Sequence, residues 1–371
     1  MIASFALLIA VVGCLYLLGA AAAARLRSVP APETPFPAVT ILKPLNGDEP
    51  RLFENLSSFC VQDYPAPIQV ICGVQDPRDA AIDVVERLKA EFPGADIHLV
   101  VDRTTHGANL KVANLINMMR HARHDGIVLA DSDISVEPRY LRTLMATLAA
   151  PGVGAVTCFY NGVAAAGFWS KLSALAVDAH FLPNALVGLR TGLAHPCFGS
   201  TIALTRQRLA EIGGFAAFAD HLADDYAMGD AVRACGQRVE VSTMLVAHGC
   251  AESSFPELWS HELRWARTIR AVDSLGYAGS LVTHPLAWAL IAAVTGAPEF
   301  GGALAALAIA CRIVLLRAVS RTFELAPPPY WLLPARDLLS FAVFVWSFCG
   351  TDLTWRGRSY RMQADGRLTA E

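Results

Sequence analysis

Residues 128–136 read VLADSDISV: an apolar run stops at Asp131-Ser132-Asp133, and apolar residues then resume. Val128, Leu129 and Ala130 suit a buried strand. Two carboxylates one residue apart at its tip are costly there unless a cation or a turn holds them. Asp and Ser favour turns, and Pro138 suits the first turn of a following helix. On these nine residues alone, a cation site and a simple turn both stay open.

The flanking sequence supplies the frame. VTILKP, IQVICGVQD, DIHLVV and GIVLADSD carry branched apolar residues over strand length. Between them RLFENLSSF, AAIDVVERLKAEF and NLKVANLINMMRHA repeat apolar residues at helical spacing. The alternation predicts βαβ units and a mainly parallel sheet, whose ligands gather beyond the carboxyl ends of the strands. Asp76 and Asp131 both fall at such ends. From there to about residue 275 turn signals at GVG, PCFG and IGGF predict a less regular stretch.

Composition adds a membrane. Hydrophobic residues make up 54% of the 371 and charged residues only 17%, which points to apolar spans. A net charge of −3 gives a nucleic-acid partner no support. Lysine is scarce, with Lys43, Lys89, Lys111 and Lys171 the four in the chain, and the arginine- and alanine-rich remainder reads as bacterial. The nine cysteines form no CxxC pair and read as free thiols in a reducing compartment.

Residues 1–24 are expected to form a transmembrane anchor and residues 25–37 a proline-rich linker. Arg25 and Arg27 follow the apolar run, so the positive-inside rule places what comes next in the cytoplasm. The soluble domain is expected over 38–277, with an interfacial helix near 255–275. Membrane segments are expected over 278–353 and a basic tail over 354–371. Arg336 and Asp337 interrupt the last apolar stretch, and a third full crossing would leave WRGRSYRM outside. Residues 331–353 are therefore expected to be partly re-entrant or interfacial.

Four features occur in order: QD at 75–76, DSD at 131–133, DDY at 224–226 and HELRW at 261–265. Together with VTILKPLNG, VQDPRDAAIDVV, GGFAAFADHLADDYAM and the late WRGRSYR, they resemble the inverting GT-A glycosyltransferases of the ceramide glucosyltransferase-like family, over nearly the whole chain. The resemblance implies an α/β, Rossmann-like GT-A domain held by N- and C-terminal transmembrane helices. It also implies a divalent metal, Mg²⁺ or Mn²⁺, held by Asp131 and Asp133. Some family members carry Gly at the position of Asp133, which would leave the metal held chiefly by one of the two aspartates, with help from water.

Roles follow residue by residue. The resemblance sets Asp76 and Lys111 beside the donor nucleotide and its phosphates; Asp76 also reads as a turn residue before Pro77, and Asp79 as the start of the next helix. Asp225 matches the general base that takes the acceptor hydroxyl proton, with Asp224 beside it, and acidic residues suit a helix N-terminus in any case. Arg264 suits the departing diphosphate, because a guanidinium forks onto phosphate oxygens. Trp265 would pack under the nucleotide or line the acceptor channel, while Trp and Arg on this helix also suit lipid headgroups. His195 and His261 fall on the acceptor side, and His261 departs from the usual Gln or Arg.

The expected enzyme moves one sugar from a UDP-sugar to a lipid hydroxyl, as a multi-pass protein of the bacterial inner membrane with its catalytic domain facing the cytoplasm. The overall pattern is most like the hopanoid-biosynthesis-associated glycosyltransferases, implying N-acetylglucosamine transfer to a hopanoid. Glucose transfer to ceramide is the nearest alternative. A processive polysaccharide synthase would need more spans, and a catalytically dead scaffold would have lost its acidic positions.

Overall fold

The computed structural model describes residues 1–24, 36–350, 352–355, 358–362 and 368–370; most of the expected linker, with Arg25 and Arg27, and part of the basic tail lie outside them. The chain divides into two compact units. One unit comprises Ser28–Ala165, His195–Ala251 and Gly366–Glu371, and carries an eight-stranded sheet.

Its strands are β1 (Val39–Pro44), β2 (Ile68–Val74), β3 (Asp96–Val101), β4 (Gly126–Leu129), β5 (Ile134–Ser135), β6 (Val153–Ala164), β7 (Ile202–Thr205) and β8 (Arg238–Cys250). They lie in the order β3-β2-β1-β4-β7-β6-β8-β5. The first four run parallel, with Leu42 beside both Ile71 and Leu129. β7 runs antiparallel to β4 and β6, while β6 and β8 pair in parallel.

All six residues of β1 are buried, because helices cover both faces of the sheet. Val39 and Ile41 pack into a core with Leu56, Val85 and Leu144 on one side. Leu42, Ile71 and Leu129 pack with Val112, Leu115 and Phe218 on the other. Parallel pairing puts the carboxyl ends of β1, β2 and β4 at one edge of the sheet. Asp76 therefore follows β2 and Asp131 follows β4 at the same edge, as expected from the sequence.

The second unit comprises Met1–Arg27, Ala166–Ala194 and Glu252–Asp365, and is helical apart from a short hairpin pairing 352–355 with 358–362. Three of its helices are long and apolar enough to cross a membrane: Ile2–Ala23, Gly167–Thr191 and Pro298–Thr322. Ser274–Thr283 and Pro285–Val294 form a pair bent by 63°. The break falls before Pro285, whose ring disfavours helical backbone at the preceding residue.

The first helix buries a narrow stripe of small residues, including Ala6, Ala10, Gly13 and Ala20. A Cβ at Gly13 would lie 2.5 Å from the Val282 carbonyl oxygen, so the close approach requires glycine. Its other face leaves Ile2, Phe5, Leu8, Leu15 and Leu18 exposed, an apolar surface suited to lipid.

The grouping of two segments differs from the sequence expectation. Residues 166–194 and 252–277, read as part of the soluble domain, group with the N-terminal helix. In the sequence, Lys171, Asp178, His180 and Pro183 dilute the hydropathy of the Gly167–Thr191 stretch, and Val177–Phe181 forms a π-turn inside it. Near the end of the chain, the helix Leu333–Ser347 has 15 residues. At about 1.5 Å per residue it is shorter than a hydrocarbon core is thick.

Charges inside this unit are paired. Arg336 is fully buried and donates from Nη1 and Nη2 to the two Glu262 carboxylate oxygens at 2.6 and 2.7 Å. Arg312 donates from Nε to Asp337, and from its other nitrogens to the Ala179 and Thr283 carbonyls at 2.9 and 2.7 Å. Asp337 also bonds His180 Nε2 at 2.9 Å. The pair between Arg336 and Glu262 fastens the helix Phe255–Val272 to Leu333–Ser347.

Removing one partner of such a pair strands a buried charge, at a cost of about 3–5 kcal/mol. Arg336→Met is therefore expected to lower the thermal midpoint in detergent clearly, and Glu262→Gln with Arg336→Met to recover part of the loss. An unchanged midpoint for the single variant would contradict this pairing.

Candidate active site

The DSD turn is held from below and behind. Lys43, fully buried in β1, donates from Nζ to the Asp131 carbonyl oxygen at 2.5 Å and lies 4.0 Å over the Phe59 ring. Asn55 Nδ2 donates to the Ser132 carbonyl at 3.2 Å, and Ser132 Oγ to Glu49 Oε2 at 2.6 Å. The Gly249 N–H donates to the Asp133 carbonyl at 2.8 Å. With its backbone fixed, the turn leaves the Asp131 and Asp133 side chains about one third exposed.

Two helix N-termini bring the remaining charges. Asn109 caps Leu110–Met119, its Oδ1 accepting from the Lys111 and Val112 N–H groups. Its Nδ2 donates to the His221 carbonyl at 2.7 Å and to Asp224 Oδ1 at 3.3 Å. One side chain thus ties the Lys111 helix to the Asp224–Ala234 helix. Lys111 Nζ lies 2.6 Å from Asp131 Oδ1 and 3.9 Å from Asp224 Oδ2.

Asp225 is fixed at both oxygens. Oδ2 accepts from the Gly199 N–H at 2.7 Å and Oδ1 from the Tyr226 N–H at 2.8 Å. Thr157 of β6 holds the Gly199 segment, its Oγ1 accepting from the Phe198 N–H at 2.9 Å. A Cβ at Gly199 would lie 3.2 Å from both Asp225 Oδ2 and Lys111 Nζ, and 3.5 Å from Asp131 Oδ2. Three charged side chains therefore converge on one glycine. Gly229 permits the approach from the other side, since a Cβ there would lie 2.6 Å from Cys197 Cβ.

The charges shift one another. Burial raises the Asp224 carboxyl to about 6 against the pull of Lys111, and Asp225 and Asp131 add to the rise. Burial also raises Asp225, while Lys111 and the two backbone donors oppose it. Burial alone would pull Lys111 down, but Asp131 and Asp224 outweigh it and hold its ammonium above the usual lysine range. Lys43 is brought down to about 8 by burial, although Asp133 and Asp131 resist.

Asp131, Asp133, Asp224 and Asp225 bring four carboxylates, and Lys43 and Lys111 two ammonium groups. Fully ionised, that set carries two negative charges in excess. Among the described residues no group of three or more His, Cys, Asp or Glu side chains could hold a metal ion. The donor chemistry nonetheless fits one hard divalent ion: two partly exposed carboxylates, with water or phosphate oxygens completing the shell.

The other expected residues have surroundings of their own. Asp76 is half exposed, accepts from the Arg78 N–H at 3.0 Å, and has Arg78 and Arg103 within 3.9 Å. The Arg78 N–H, with the two guanidinium groups, holds its carboxyl below the ordinary value. Asp79 stands at the start of the following helix, as expected, its Oδ1 accepting from the Ala81 and Gly47 N–H groups. His195 is exposed, four residues before Gly199.

His261, Arg264 and Trp265 belong to the helical unit. His261 Nδ1 bonds Glu252 Oε1 at 2.5 Å, and its ring lies 4.3 Å from that of Trp265. Arg267 and Arg270, three and six residues after Arg264 on the same helix, donate to the Cys349 and Gly350 carbonyls.

Lys43, Asn109, Gly199 and His248, whose Nδ1 lies 3.4 Å from Asp133 Oδ2, are additions of the structure. Only Asn109 had a local signal, as a cap residue before an apolar helical run.

The raised Asp224 carboxyl has a signed consequence. Its folded value of about 6 exceeds the ordinary carboxyl value of 3.8, so the stability it contributes is present below pH 3.8 and lost as pH rises through about 6. In metal-free buffer, Asp224→Asn is expected to gain stability relative to the parent between pH 4.5 and pH 7, read by thermal unfolding. A difference independent of pH would contradict the assignment.

All nine cysteines are free thiols. Residues 5–368 match the family described as Glycosyl transferase family 21. Ceramide glucosyltransferase 1 of Caenorhabditis elegans is 25% identical over 66% of this chain and 52% of its own length. Ceramide glucosyltransferase 3 of the same organism is 26% identical over 70% and 58%. The chain thus spans little more than half the length of these relatives. A mannosyltransferase from Pyrobaculum calidifontis, solved in complex with GDP-Man and Mn²⁺, superposes with a TM-score of 0.56 at 19% identity, over 94% of this chain and 99% of that one. That likeness shows the shared GT-A fold. With a match across nearly its whole length, the chain belongs to glycosyl transferase family 21.

Proposed function

We propose that the chain transfers a single sugar from a UDP-sugar to the hydroxyl of a membrane lipid, with inversion at the anomeric carbon. The observation that carries the reading is Asp225, a carboxylate clamped by two backbone N–H groups beside Lys111 and Asp131. Each of its oxygens keeps a lone pair for a hydroxyl proton. Burial raises its pKa, which makes it a better base near neutral pH.

Asp131 and Asp133 would hold a divalent ion, Mg²⁺ or Mn²⁺, which when bound supplies positive charge to the diphosphate. Lys111 and Asp76 serve the donor. Arg264 is assigned to the departing diphosphate, Trp265 to the nucleotide or acceptor channel, and His195, Asp224 and His261 to the acceptor side. The names of the relatives favour glucose transfer to a ceramide-type lipid over N-acetylglucosamine transfer to a hopanoid. The long apolar helices suit an amphiphilic acceptor, and Arg25 and Arg27 after the first apolar run support a catalytic unit on the cytoplasmic face of a bacterial inner membrane.

Purified protein in vesicles, given UDP-glucose or UDP-N-acetylglucosamine with ceramide or a hydroxylated hopanoid, is expected to yield glucosylceramide by mass spectrometry. N-acetylglucosaminyl hopanoid as the sole product would reverse the acceptor assignment, and a ladder of oligosaccharides would overturn single-sugar transfer. Asp225→Asn is expected to lower turnover about 10²–10⁴-fold with UDP and metal binding retained. Asp131→Asn should weaken both. Near-normal turnover in Asp225→Asn would remove the base assignment.

A further inference from the structure

We propose that Lys111 is an exchangeable counter-ion, paired with Asp131 when the site is empty and transferred to the donor diphosphate when metal and nucleotide arrive together. The inference rests on the reading of Asp131 as a metal ligand. Its starting observation is that Lys111 Nζ, 2.6 Å from Asp131 Oδ1, already occupies one of the carboxylates assigned to the metal.

A lysine suits such an exchange. Its backbone is pinned, because its N–H donates to the Asn109 cap at 2.9 Å. Its ammonium sits on a flexible four-carbon stem with three donors that can be redirected. The Lys111 side chain is 14% exposed and that of Asp131 32%, so the ammonium lies beneath a carboxylate that solvent reaches. Asp224 Oδ2, 3.9 Å away, offers the ammonium a second carboxylate neighbour.

A divalent ion approaching Asp131 by itself meets this ammonium as a like charge. Nothing it brings gives the ammonium a new partner. A diphosphate arriving with the ion does, since phosphate oxygens accept charge-assisted hydrogen bonds. Metal alone should therefore bind weakly, and metal and UDP should strengthen each other by the same factor. Lys43 cannot take this part, because it is fully buried and engaged with the Asp131 backbone carbonyl.

The test separates the two contributions on the full chain in detergent. Mn²⁺ affinity without nucleotide is read by electron paramagnetic resonance, and UDP affinity at saturating Mn²⁺ by calorimetry. Lys111→Met is expected to bind Mn²⁺ alone several-fold more tightly than the parent and UDP–Mn²⁺ several-fold more weakly, so that the mutual strengthening falls. Lys111→Arg, which keeps the charge, should keep weak binding of metal alone. Lys111→Gln provides a second neutral variant if Lys111→Met does not fold.

Opposite movement of the two affinities is the signature, since a merely structural role would weaken both. Unchanged or weaker binding of Mn²⁺ alone in both neutral variants would overturn the exchange while leaving the metal reading in place. Failure of the parent to bind Mn²⁺ with UDP would remove that reading and the exchange with it.

Discussion

Four carboxylates gathered at the edge of one sheet repel one another, and everything local to the site answers that repulsion. At about 4 Å, two unit charges interact by about 1 kcal/mol in water and about 4 kcal/mol near a protein surface. Lys43 meets the repulsion from beneath the DSD turn and Lys111 from the side. The strands serve this arrangement directly. β1 must lie between β2 and β4 for Lys43 to reach the Asp131 carbonyl, and Thr157 of β6 must hold Phe198 for Gly199 to meet Asp225. Burial, with Asp225 and Asp131 adding to it against Lys111, holds the Asp224 carboxyl high, and the set as a whole stays short of positive charge.

The helical unit handles buried charge differently. Arg336 with Glu262, and Arg312 with Asp337 and His180, are matched within the protein and need no added ion. Such pairing makes buried arginines tolerable among apolar helices, whose interior otherwise disfavours charge strongly. The contrast between a satisfied network and a cluster short of positive charge separates structural ionic groups from those proposed to bind a ligand.

Much of the catalytic unit was legible in the sequence because its signals are local. The strand runs at 68–74 and 126–129 lead into Asp76 and Asp131, and their place in the sheet beside the run at 39–44 follows from βαβ connection. The acidic pair at 224–225 announced a helix N-terminus and proved to be one. Lys43 and Gly199 were not legible, because a lysine inside VTILKP and a glycine inside HPCFGST acquire their positions only from long-range packing. The Gly167–Thr191 helix was hidden for the opposite reason. His180 and Asn184 bond Asp337 and Tyr16, each more than a hundred residues away, so local hydropathy understates how well the helix suits an apolar setting.

An experimental structure with UDP and Mn²⁺ bound, recorded at a wavelength where manganese scatters anomalously, tests the account most directly. The expected result is one manganese peak coordinated by Asp131, Asp133 or both and by diphosphate oxygens, with the Asp225 carboxylate still clamped by the Gly199 and Tyr226 N–H groups. A nucleotide bound without manganese at the DSD turn, or manganese held elsewhere in the chain, would contradict it.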